Sequence, residues 1–122
     1  MNKKELDQLS RKCKKSVGQL QDWMETLLEG NPELLKNYMG IRDQVLVDGA
    51  LPRKVKELML MGINMVRMYQ PGIENHLRMA MNLGATKEEV METIATAVLS
   101  SAAPAIRSGP RVLRAELEKR KK

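Results

Sequence analysis

Leu58-Met59-Leu60-Met61-Gly62-Ile63 places an apolar group, or no side chain at all, on every side of a helical turn, and VMETIATAVLSSAA further on does nearly the same. A helix apolar all round must be covered all round. The chain has 122 residues, one domain by length, and domains this small bury proportionally little of their surface. Leu, Met, Ala, Glu and Lys outweigh Val, Ile and Thr, there are 10 Met and no Phe, and the aromatics are Trp23, Tyr38 and Tyr69 alone. That balance favours helix over sheet. The expectation is an all-α fold of about six helices, residues 1–122 forming a single domain, with the surplus apolar surface turned toward a second copy in a homo-oligomer.

Short breaks punctuate the helices. Leu6, Leu9, Cys13, Leu20, Trp23 and Leu27 keep one face apolar and predict a helix from about Lys3 to Glu29. Gly30-Asn31-Pro32 closes it and opens a second helix that runs through Val47, with Pro32 in its first turn. Asp48-Gly49 turns the chain, and Leu51-Pro52 starts a third helix that breaks at Tyr69-Gln70-Pro71-Gly72. Ile73 to Leu83 predicts a fourth, ended by Gly84. Thr86-Lys87-Glu88-Glu89 has the form of a capping box and opens a fifth helix, Lys87 to Ala103. Pro104 interrupts, and a last amphipathic helix is expected from Arg107.

The net charge of +6 does not read as a nucleic-acid surface. Thirteen bases against four acids leave residues 1–15 and 107–122 at +9 together, so the middle of the chain carries −3. A basic groove interleaved with aromatics is missing, and solvated termini are the simpler reading. No apolar run approaches the roughly 20 residues of a membrane span, and MNKKELDQLS lacks the apolar core of a signal peptide. A cytoplasmic protein without nucleic-acid or membrane partners is the expectation. Cys13 is the sole cysteine, so no internal disulfide and no multi-cysteine metal site can form.

Polar groups inside the apolar helices carry the chemistry. Glu57 and Asn64 are seven apart and share a face of the third helix; His76, the one histidine, shares a face with Ile73 and Ala80 in the fourth. A carboxylate and an imidazole aimed at an apolar interior are costly unless they pair. Such a pair is either a proton relay, the carboxylate fixing the tautomer of the ring, or a core histidine satisfied by Glu57, Asn64 or a backbone carbonyl. Spacing leaves both open. One histidine without a second nitrogen or sulfur ligand is too little for a metal site, and no cofactor is implied.

LPRKVKEL, then after about twenty residues HLRMAMNLGATKEEV and a small-residue helix, resembles the carboxymuconolactone decarboxylase-like family, which includes the AhpD alkylhydroperoxidases. The likeness covers residues 51–113, with 1–50 as N-terminal packing helices. It implies an AhpD-like helical fold assembled as trimers or hexamers. In the peroxidase branch a helix bearing Glu is followed by Cys-x-x-Cys and then His, and the Glu and His relay protons to the thiols. Counted back from His76, the two cysteine places hold Tyr69 and Gly72.

Without that thiolate and its resolving partner an alkylhydroperoxidase or peroxiredoxin-type activity is disfavoured. The decarboxylase branch keeps a histidine without the cysteines and acts on a lactone bearing a carboxylate. By resemblance, then, the expected activity is acid-base chemistry on a small carboxylate or lactone, a lyase if active. Its catalytic residues would be His76 and Glu57. Arg67 and Arg78 would clamp an anion, Tyr69 would orient a substrate oxygen, and Asn64 would line the site. The alternative is a non-catalytic helical oligomer that binds a ligand or a partner protein.

Overall fold

Asn2 opens the first helix with a reciprocal cap: its side chain accepts from the Glu5 amide at 2.9 Å, and its own amide donates to the Glu5 carboxylate at 3.1 Å. In the computed structural model, which describes residues 1–122, this helix, α1, spans Lys3–Val17. It stops where Gly18 turns left-handed at φ +88°, so the expected helix over residues 3–29 is two helices. α2 (Asp22–Gly30) resumes the apolar spacing, and α3 (Pro32–Val45) starts with the Asn31 side chain accepting from the Leu34 amide at 3.2 Å. These three form one compact unit, residues 1–49. Its core is Leu9, Cys13, Val17, Met24, Leu35 and Met39, with Leu20, Leu27 and Leu28 at its edge. Trp23 and Tyr38 meet edge to face, ring centres 5.6 Å apart.

The second unit, residues 50–122, holds α4 (Arg53–Val66), α5 (Gln70–Asn82) and α6 (Lys87–Arg120). α4 packs against both neighbours, around Leu58, Met61, Ala80 and Ala85 with Met65, Ile73, Leu77 and Val90. The expected break at residues 69–72 is shorter than its sequence suggests. Tyr69 caps α5, and Pro71 lies in the first turn, where its missing N–H costs nothing. The Thr86–Glu89 capping box forms as expected, with bonds of 3.0 and 3.1 Å, after Gly84 at φ +93°.

Pro104 does not end a helix. α6 continues through it and through Pro110 as one 34-residue element. Each proline forfeits the bond to the carbonyl four residues back, Ser100 and Ile106 respectively. Both those residues are exposed, so water can satisfy the freed carbonyls. Six helices therefore result, through one split and one fusion relative to the sequence expectation. The helices apolar all round are covered on one side only: Met59, Ile63 and Val66 of α4 are 50%, 48% and 41% exposed, and Ala97 is the one buried residue of α6. No helix is long and apolar enough to cross a membrane.

Candidate functional site

The α4–α5 hairpin is where polarity is buried. On α4 the inward face carries Glu57, Met61 and Asn64; on α5 it carries Gly72, His76 and Ala80, one per turn. Near the turn that joins the two helices, they touch at Gly72, where a Cβ would lie 2.5 Å from both Cγ and Oδ1 of Asn64. Asn64 in turn donates from Nδ2 to the Leu60 carbonyl at 2.8 Å. Glycine is required at this point by close approach, not by backbone conformation.

Further along, the Glu57 carboxylate, fully buried, lies 2.7 Å through Oε2 from Nδ1 of His76. With Glu57 ionised it can only accept, so Nδ1 carries the proton and donates. Nε2 makes no hydrogen bond within the chain and is not among the sealed, unpartnered polar atoms; the side chain keeps 10% of its surface exposed. The arrangement presents a fixed tautomer with a lone pair, or in the charged ring a proton, toward the outside.

The other carboxylate oxygen, Oε1, is 3.5 Å from Nε of Arg53, one helical turn earlier. That is an ion pair by distance, while by geometry Oε1 accepts no hydrogen bond. The guanidinium offsets part of the cost of burying the carboxylate. Arg53 was not singled out from the sequence, where Leu51-Pro52-Arg53 reads only as a helix start. The signal available was its place four residues before a buried acid.

The remaining expected site residues separate. Tyr69 is half exposed at the cap of α5, seven residues before His76 and on the same side of that helix. Arg78, two residues after His76, is turned about 200° away from it around the helix and is exposed. Arg67, at the C-cap of α4, lines instead an open groove of about 640 Å³ between α4 and α6, whose lining includes neither His76 nor Glu57. No group of three or more His, Cys, Asp or Glu side chains comes together that could hold a metal ion. Cys13 is fully buried in the first unit; burial pushes its thiol up, and Lys12 and Arg42 pull weakly the other way.

The carboxymuconolactone decarboxylase family profile matches residues 32–115, and the chain belongs to that family. The match begins ahead of Leu51, where the motif is first legible. An uncharacterised protein of Methanocaldococcus jannaschii, MJ0742, is 30% identical over 91 residues, 74% of this chain and 88% of that one. Among solved structures, a putative carboxymuconolactone decarboxylase from Burkholderia xenovorans LB400 superposes with a TM-score of 0.71 at 31% identity, over 82% of this chain and 78% of that one. A carboxymuconolactone decarboxylase family protein from Legionella pneumophila, lpg0406 in its apo form, shares the fold with a TM-score of 0.61 at 24% identity, over 93% and 96%. The AhpD-like all-α fold expected from the sequence is thus the one found.

Proposed function

We propose that this chain performs acid-base chemistry on a small carboxylate or lactone, with Nε2 of His76 as the atom that moves the proton and Glu57 as the group that orients and charges the ring. The observation that carries the reading is the buried 2.7 Å bond between Oε2 and Nδ1, which leaves Nε2 available. In a decarboxylation the electron pair of the breaking bond to the carboxylate passes into a conjugated carbonyl as carbon dioxide leaves. His76 then delivers a proton to the carbon. Tyr69, on the His76 side of α5, orients a substrate oxygen, and Asn64 holds the hairpin at Gly72. A thiol peroxidase is disfavoured because Tyr69 and Gly72 occupy the cysteine places and Cys13 is sealed with a raised thiol pKa.

The test is a thermal-shift panel of lactones, small carboxylic acids and hydroperoxides, since a ligand raises stability by mass action whatever the reaction, followed by turnover of each stabilising compound. His76→Gln should keep the helical circular dichroism and lose roughly 10²–10⁴ in rate, while Cys13→Ser leaves the rate unchanged. Turnover that survives His76→Gln, or peroxide reduction abolished by Cys13→Ser, refutes the reading. The second reading, a non-catalytic binding protein, is favoured by the open groove lying apart from the Glu57–His76 pair. It predicts partner or ligand binding that His76→Gln leaves intact.

A further inference from the structure

Arg53 sits where a helix gains least from a cation. It opens α4 after Pro52, which gives no side-chain cap, and the first turn of α4 holds no acid. A positive charge opposes the dipole at that end, and a base four residues ahead of a Glu is the weaker order of such a pair. Lys54, next in the chain, pairs with Glu89 of α6 at 2.8 Å. Arg53 lies instead against Glu57, its Nε 3.5 Å from Oε1. The Glu57 side chain is fully buried and Oε1 accepts no hydrogen bond, so the charge on that oxygen is met by the guanidinium rather than by solvent or a donor.

That charge decides the polarity of the next contact. Oε2 and Nδ1 lie 2.7 Å apart, and two arrangements of protons satisfy them. In the first, Glu57 is a carboxylate, Nδ1–H donates to it, and Nε2 is bare. In the second, Glu57 has taken up one proton from solvent and donates it to a bare Nδ1, while the proton of the ring has moved through solvent from Nδ1 to Nε2. A buried carboxylate without a counter-charge neutralises itself in this second way; a cation beside it favours the first. We infer that Arg53 is a positioning residue for His76: its guanidinium holds Glu57 as a carboxylate and so fixes Nδ1 as the protonated nitrogen and Nε2 as the one bare toward the outside. The first arrangement leaves a lone pair at Nε2 to take a proton, and its charged form an imidazolium to return one; the second offers neither. The inference rests on the reading of His76 as the group that moves the proton, and adds the residue that sets which nitrogen does so.

Nitrogen NMR of histidine-labelled protein at neutral pH reads the tautomer in the native chain and in Arg53 variants. Arg53→Met keeps the stem as far as the Nε position and removes the charge. Its ring should pass from mainly Nδ1–H to mainly Nε2–H, and an infrared band of protonated carboxyl should appear that the Arg53→Met, Glu57→Gln double variant lacks. Arg53→Lys, whose ammonium reaches Oε1 from a stem of the same length, should restore Nδ1–H. A merely structural ion pair would lower the melting temperature of Arg53→Met and leave the ring as it was; that result overturns the inference, and so does a lysine variant that behaves like the methionine one. Should Arg53→Met lose its helical circular dichroism, Arg53→Gln, neutral and of similar reach, carries the same expectation and the same refutation. A native ring protonated at Nε2 sinks the reading of His76 itself, whereas a native ring at Nδ1–H that loss of the charge leaves unchanged sinks the role of Arg53 alone.

Discussion

Gly72→Ala should destabilise the protein, and the same substitution should stabilise it once Asn64 is shortened. The added Cβ would meet Cγ and Oδ1 of Asn64 at 2.5 Å and Nδ2 at 2.9 Å, roughly 1 Å closer than ordinary contact of about 3.5–4.0 Å. Asn64 is only 8% exposed and its Nδ2 is committed to the Leu60 carbonyl at 2.8 Å. It must swing away or α5 must lift from α4. Overpacking of this kind costs about 1–3 kcal/mol, against a gain of about 0.5–1 kcal/mol for replacing glycine within a helix. The net expectation is a loss of up to about 2.5 kcal/mol, centred near 1 kcal/mol, read as a fall in the urea midpoint at constant slope. In an Asn64→Ala background the obstruction is gone, and Gly72→Ala should then gain about 0.5–1 kcal/mol by removing backbone freedom from the unfolded chain. A Gly72→Ala effect of the same sign and size in both backgrounds would refute the reasoning. The result bears on chemistry too, because residue 72 is the second cysteine place of the peroxidase branch: a thiol there requires Asn64 to move.

The Glu57–His76 pair should couple energetically. Glu57→Gln and His76→Gln should each cost about 1–2 kcal/mol, since each weakens a buried charge-assisted bond, and the double variant should fall short of their sum by about 0.5–3 kcal/mol; additivity to within about 0.5 kcal/mol in denaturant melts would remove the pair. Met68 is the one non-glycine residue at positive φ, 58°, and its side chain is 88% exposed. Met68→Gly should therefore raise stability by about 0.5–1 kcal/mol, and a lowered melting temperature would count against strain there. The Glu89 carboxyl is held below its ordinary value of 4.5, first by the Lys54 hydrogen bond and then by the Thr86 backbone. A depressed folded value gives stability that is present above the unfolded value and lost as pH falls through the folded one. The melting-temperature gap between the native chain and Glu89→Gln should thus be full above the ordinary value of 4.5 and shrink as pH falls through the lowered folded value; a gap that widens in acid would contradict the assignment.

The Glu57–His76 pairing was legible in the sequence because its logic is local and electrostatic. A lone histidine and a lone interior carboxylate on consecutive apolar helices have few affordable arrangements, and pairing is the one adopted. The Thr86 cap and the Gly84 turn were equally legible, since each uses a residue type with one dominant local geometry. The break at Gly18 was not, because Leu20, Trp23 and Leu27 preserve the apolar period across it and only the left-handed backbone reveals the stop. Pro104 misled in the other direction. A missing amide ends a helix only when the freed carbonyl lacks another partner, and burial, not composition, decides that. Arg53 escaped notice because its role depends on Glu57 being sealed, a fact of tertiary packing. Arg67 and Arg78 were grouped with His76 by proximity along the chain, which helix rotation undoes.

His76 is the only histidine in the chain, so nitrogen NMR of a histidine-labelled sample reports on this one ring without assignment. The neutral ring should be protonated at Nδ1 through its bond to Glu57, Nε2 should be the bare nitrogen whose resonance moves when a stabilising lactone or carboxylate is added, and Glu57→Gln, whose amide donates as well as accepts, should weaken the tautomer preference. A ring protonated at Nε2 with Nδ1 bare, or one whose signals ignore both Glu57→Gln and the ligand, would contradict this.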